Sequence, residues 1–134
     1  MALPAHAATK TSGTVTIGVS EMLTGPSAFY GKAALDGIQV AVDEINAAGG
    51  ILGKKVVLKI QDNASDNAQA ASILRKYAQD KTMAAAIPPT YQPNFEAACA
   101  VAAQFKIPIV AAQSGEPTAK SNSTPKSSRP SCRA

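Results

Sequence analysis

Between Thr14 and Ala112 the chain switches repeatedly between two kinds of hydrophobic spacing. Thr14 to Ser20 is a short β-branched run and predicts a first strand. From Ser27 to about Ala48, the apolar residues Ala34, Leu35, Ile38, Ala41, Val42 and Ile45 recur at helical spacing, with Lys32, Asp36, Gln39, Asp43 and Glu44 off the stripe. That pattern predicts an amphipathic helix laid on a sheet. Gly49 and Gly50 end it, because glycine readily takes the left-handed conformation found just past a helix, and Gly53 serves the next turn. Lys55 to Gln61 predicts a second strand. Asp66 is placed to N-cap a second helix running through Lys81, with Ala70, Ile73, Leu74 and Tyr77 on its inner face. Met83 to Ile87 is a third strand of small residues. Pro93 opens a third helix carrying Phe95, Ala98, Ala102 and Phe105, and Pro108 to Ala112 is a fourth strand.

Regular alternation of strand and helix with short links is the pattern of right-handed βαβ units in a parallel sheet. The strands are nearly all apolar rather than alternating, as expected where helices cover both faces. The predicted class is α/β, a doubly wound, Rossmann-like parallel sheet of order 2-1-3-4 within residues 14–117.

Composition narrows the function. A chain of 134 residues fits one domain. No run approaches the roughly 18 to 20 apolar residues needed to span a bilayer. The net charge of +4 lies at one end: Met1 to Pro117 is balanced, whereas Thr118 to Ala134 holds Lys120, Lys126, Arg129 and Arg133 with no acid. A basic groove interleaved with aromatics is therefore missing from the patterned body, which argues against nucleic acid as a partner. From Ser121 onward the chain is rich in Ser and Pro and has no Leu, Ile, Val or Phe. Residues 118–134 thus read as a disordered basic tail. Cys99 falls in a helical pattern and Cys132 in the tail, which shows neither metal spacing nor a disulfide framework; a buried, inert Cys99 is expected. The single His6 lies outside the patterned body, leaving no imidazole there for a nucleophilic pair.

Ala5 and Ala7 form a small-x-small pattern, as at a signal-peptidase site with cleavage after Ala7. Residues 1–7 then read as the remnant of a signal whose apolar region lies upstream of a start codon placed too late. As written, without that region, the product would stay cytoplasmic. An ordinary disordered N-terminus is the other reading of so short a motif.

In an open parallel sheet, ligands bind beyond the carboxyl ends of the strands, where loops converge and helix N-termini offer N–H groups. Three loops share that edge: Glu21 to Gly31, Pro88 to Gln92, and Gln113 to Glu116. They offer hydroxyls, amides and aromatic rings but no recognised catalytic grouping, so the edge reads as a binder of small polar ligands. Gly49 to Lys55 lacks the spacing and the Ser/Thr of a phosphate loop, and it ends a helix instead of opening one. Gly25 and Gly31 lack dinucleotide spacing. No metal and no cofactor is expected. Asp62 and Glu116, the carboxylates noted near strand ends, read as caps and surface charges, though a small α/β hydrolase acting on amides would have to use them.

Thr24-Gly25-Pro26-Ser27-Ala28-Phe29-Tyr30-Gly31, then Gly37 with Asp43-Glu44-Ile45-Asn46-Ala47-Ala48-Gly49-Gly50-Ile51-Leu52-Gly53, then Val57-Leu58-Lys59-Ile60-Gln61-Asp62-Asn63 resembles the opening of type I periplasmic binding proteins. The nearest subgroup looks like the branched-chain amino-acid (leucine/isoleucine/valine) receptors of ABC importers. The likeness runs through Lys106-Ile107-Pro108-Ile109-Val110 and covers roughly Val15 to Pro117, most specifically at Asn46 to Gly50. It implies an incomplete N-terminal lobe of a two-lobed protein, with a tail that reads like an out-of-frame ending.

The resemblance implies a non-catalytic, periplasmic substrate-binding component that captures an amino-acid-like solute for a membrane permease. Branched-chain amino acids or related amides are the implied ligands, and a ligand-sensing receptor domain of the same fold is the alternative. By position, Tyr30 matches an aromatic ligand contact. Gln113, Ser114 and Gly115 match the small hydroxyl loop after the fourth strand. Where relatives have a Ser-rich turn, this chain has Pro88-Pro89-Thr90-Tyr91, so Thr90 is the surviving hydroxyl and Tyr91 narrows the pocket. Read without the resemblance, Thr90 is a helix cap, set before a helix whose dipole favours an anion.

Overall fold

The computed structural model describes residues 13–111. They form β1 (Thr14–Glu21), α1 (Ala28–Ala47), β2 (Lys55–Asp62), α2 (Asn67–Gln79), β3 (Met83–Ile87) and α3 (Gln92–Phe105). The sheet has the order β2-β1-β3, with β1 parallel to both neighbours. The expected fourth strand is reduced, among the described residues, to a single parallel bridge between Ala86 and Ile109. Ala86 N donates to Pro108 O at 2.9 Å and Val110 N donates to Ala86 O at 3.0 Å. That bridge occupies the fourth place in the predicted order. Ala112, the end of the expected strand, lies outside the described residues. Because the crossover through α1 steps one way along the sheet and those through α2 and α3 step the other, right-handedness puts α1 on one face and the other two helices opposite.

The helices start and stop for local reasons. Asp66 caps α2 as expected, accepting from Gln69 N at 2.7 Å. The helix ends at Gln79 rather than Lys81, because Asp80 takes extended angles and its carboxylate accepts from Thr82 N (2.9 Å) and the Thr82 hydroxyl (2.6 Å). That local turn competes with another helical turn. At the end of α1, Gly49 and Gly50 adopt φ of 104° and 79°, and Gly50 N closes onto Ile45 O at 2.8 Å. The inward stripe of α1 has Gly31 and Val42 buried, with Ala34, Leu35, Ile38 and Asn46 half-buried beside them. Ala41 and Ile45, expected on it, lie at its margin and are exposed, because neighbouring residues on a helix are turned by about 100°.

The main core lies between the sheet and the α2/α3 pair. Ile73, Leu74, Tyr77, Ala86, Ala98 and Val101 form it, with Phe105, Ile107 and Ile109 packed alongside. Fully burying a Leu or Ile contributes about 1.5 to 3 kcal/mol, so this cluster anchors both helices. The Tyr77 ring lies over Gly18, where any added Cβ would meet the ring at 2.5 Å. Its hydroxyl reaches two strands, bonding Val19 O (3.0 Å) on β1 and Lys59 O (2.8 Å) on β2. Burial pushes the Tyr77 phenol well above its ordinary range, so it stays a donor.

On the opposite side, the Asn46 side chain pairs with the backbone of Val56 in β2, accepting from its N at 2.7 Å and donating to its O at 2.9 Å. A side-chain amide thus stands in for a neighbouring strand along this edge. Cys99, expected to be buried and inert, is half-buried and disulfide-bonded, since it lies one residue past the inward-facing Ala98. No helix among the described residues is long and apolar enough to cross a membrane.

Candidate functional site

All three strands run in parallel, so Glu21, Asp62 and Ile87 end β1, β2 and β3 at one edge of the sheet. The loops that follow them are tied together by two carboxylates. Asp62 holds the first and second loops: its Oδ1 accepts from Leu23 N (2.9 Å), Thr24 N (3.2 Å) and Ala64 N (2.8 Å), while Oδ2 accepts from the Thr24 hydroxyl (2.6 Å). Burial acts to raise its pKa, but the Thr24 hydroxyl and the three amides together hold it below the ordinary 3.8. Ser65 adds a second tie, donating to Thr24 O at 3.0 Å and accepting from Ser27 N at 3.2 Å. Ala64 and Ser65 both sit at positive φ, 52° and 62°, which a non-glycine residue holds only when its neighbours enforce it. The sequence reading of Asp62 as a structural carboxylate therefore holds.

Glu21 ties the first loop to the third. Only 1% of it is exposed. Its Oε1 accepts from the Thr90 hydroxyl at 2.6 Å and its Oε2 from Thr90 N at 3.2 Å. Burial drives its pKa above the ordinary 4.5, outweighing the bonds from Thr90 and from Met22 N that favour the anion. Among the described residues no Lys or Arg pairs with it, the ion pair found there being Lys59 with Asp80 on the exposed surface. Sequence reasoning placed Glu21 in the loop and gave it no role. The signal was present in the alternation of Ile17, Val19 and Glu21, which puts all three on one side of the same strand.

Thr90 is therefore not the helix cap. The N-cap of α3 is Tyr91, whose side chain makes no capping bond, and Thr90 stands one residue before it. Pro93 lies in the first turn and has no N–H to offer. Asn94, in the same turn, is buried with its Nδ2 unpartnered. Tyr91 is 43% exposed, and Tyr30, on the first turn of α1, is 57% exposed. Phe29 stacks edge-on against Tyr30, with ring centroids 5.8 Å apart at 78°. The described edge thus presents two aromatic rings and a threonine whose hydroxyl is already engaged. Gln113, Ser114 and Gly115, the remaining candidates, lie outside the described residues.

A family model described as periplasmic binding protein matches residues 14–130 and so runs on past Pro117, where the resemblance in motifs ends. The chain is 50% identical over 66 residues to the Leu/Ile/Val-binding protein BraC3 of Rhizobium johnstonii, covering 49% of this chain and 18% of that protein. Among solved structures, the branched-chain amino acid transporter substrate binding protein LivJ of Streptococcus pneumoniae, in complex with isoleucine, superposes with a TM-score of 0.73 at 36% identity. That alignment covers 77% of this chain and 30% of LivJ. The leucine binding protein LivK of Thermotoga maritima gives a TM-score of 0.68 at 25% identity, over 76% of this chain and 28% of its own. The chain spans about a fifth to a third of the length of the relatives it matches.

Proposed function

Because the chain belongs to the periplasmic binding protein family, we propose that it is part of the first lobe of a substrate-binding component for an ABC importer, taking a branched-chain amino acid or a related amide in the periplasm. The observation that carries this reading is the likeness to LivJ, a protein solved with isoleucine, over 77% of this chain and in the same fold. The carboxyl edge supports it in physical terms. It offers exposed aromatic surface at Tyr30 and Tyr91 for an apolar side chain and a hydroxyl at Thr90 for a polar group, the mixture that small amphipathic solutes require.

In this reading Tyr30, Thr90, Tyr91, Gln113, Ser114 and Gly115 contact the solute, and a membrane permease receives it. Residues 1–7 are the end of an export signal, residues 14–117 are the lobe, and residues 118–134 are a tail, although the family match extends into it as far as residue 130. No step is catalysed, in keeping with relatives named as binding proteins. The test is a titration of the isotopically labelled chain with leucine, isoleucine and valine, followed by amide resonances. Shifts should concentrate at the carboxyl edge, near Tyr30 and Thr90, and weaken in Ser114→Ala by about 1 to 2 kcal/mol, the size of a lost hydrogen bond to a charged group. Shifts confined to the opposite edge of the sheet would sink the reading.

A further inference from the structure

At the amino edge of the sheet, opposite the candidate site, Leu52 is 89% exposed at the tip of a tight turn. Ile51 and Lys54 close that turn with two mutual backbone bonds of 2.9 Å, which leaves Leu52 and Gly53 between them at φ of 51° and 76°. Two positive φ angles in succession favour Asn-Gly, because a larger side chain is crowded there. A bulky apolar residue is thus held outward, under backbone strain, where a small polar one would sit more easily. The same edge carries a row of exposed lysines. Lys54 and Lys55 enter β2, Lys81 stands two residues before β3, and Lys106 two residues before Pro108, where the fourth-strand bridge begins. Lys55 pairs with Thr14 and Met83 with Thr16, so the row crosses the sheet at one level. At about 4.8 Å between strands it spans roughly 15 Å.

We propose that the Leu52 turn and the lysine row form a docking surface for an anionic phospholipid bilayer, with Leu52 entering the acyl boundary and the lysines meeting lipid phosphates. The carboxylates at this end are Asp80, engaged by Lys59 at 3.0 Å, and Asp43 and Glu44 near the end of α1. The row is left in excess of them. Helix C-termini also favour cations, and α1, α2 and α3 all end at this edge. That accounts for Lys106, the C-cap of α3, but not for Lys54 and Lys55, which lie outside any helix, nor for an exposed leucine. Nucleic acid would need aromatic platforms between the cations, whereas the exposed rings among the described residues, Phe29, Tyr30 and Tyr91, lie at the other edge. Strands of this length hold that edge about 25 Å away, so docking leaves it open, and the inference is independent of which solute it takes.

The chain contains no Trp, so Leu52→Trp places a single reporter at the tip. With vesicles of phosphatidylcholine and phosphatidylglycerol in equal parts, at low salt, its emission should shift to the blue, and with phosphatidylcholine alone it should not. Each lysine brought to an anionic surface strengthens partition about fivefold, so Lys54→Gln with Lys55→Gln should weaken co-sedimentation about 25-fold. Leu52→Gly relieves the turn, so it should melt no lower than wild type and yet bind about tenfold more weakly. Lys120, Lys126, Arg129 and Arg133 are a rival source of attraction. Changing all four to Gln should leave the blue shift in place at saturating lipid. Loss of the shift in that variant, or its absence from the Leu52→Trp chain, would overturn the inference. So would an equal shift with heparin, a polyanion without hydrocarbon, which would make the partner a soluble one.

Discussion

Gly31 and Gly37 lie on the same helix in opposite surroundings. A Cβ at Gly31 would fall inside the backbone of Met22, where α1 crosses the end of β1, whereas nothing lies within 4 Å of one at Gly37. Backbone cannot swing aside as a side chain can, so Gly31→Ala should cost about 3 kcal/mol or more. Gly37→Ala should instead stabilise by about 0.5 to 1 kcal/mol through helix propensity. Urea unfolding of both variants checks the pair, and equal effects would show that the crossing is looser than described. Glu21 makes a prediction about pH. Its folded pKa lies above the ordinary 4.5, so the folded state keeps a proton that the unfolded state has released. Its contribution therefore falls as pH rises from about 4 through the folded value and is level above it. Measured from pH about 4 to about 7, the melting temperature of Glu21→Gln should gain on that of wild type. A constant gap would mean that burial does not perturb the carboxyl.

The elements follow from periodicity and punctuation, and where the sequence departs from them the cause is a side-chain contact. Asp66 and the Gly49-Gly50 pair were legible because caps and helix ends carry their own residue types. The early end of α2 was not, since it depends on Asp80 finding Thr82. The role of Glu21 was hidden for the same reason: its partner is 69 residues away, and no spacing rule connects them. The Asn46 contact with β2 shows a single residue completing an element. Asn46→Ala would leave the N–H and C=O of Val56 unpaired where they are partly buried. That should cost about 2 kcal/mol and raise amide exchange along β2 before it changes α2. If exchange rises equally everywhere, the contact is no local stitch.

At the scale of the whole molecule, the parallel topology was legible from the order of strands and helices, whereas the site was legible only as an edge. Tyr30 and Tyr91 are exposed there and Thr90 is engaged, so the three described candidates lie along an open edge. Roughly 150 Å² of contact on such a surface contributes about 4 kcal/mol before the cost of association. The chain alone should therefore bind leucine no better than millimolar, and micromolar binding in calorimetry would show that this surface is more enclosed than described. The sheet order β2-β1-β3 also has a bearing on how the protein comes to exist. Val19, in the central strand, is flanked by Ile60 on one side and Ile87 on the other. Those partners lie far along the chain, so the central strand is paired on both sides only through contacts of long sequence separation, which form slowly. Until both neighbours have docked, an open strand edge is exposed to pairing with another copy of the chain.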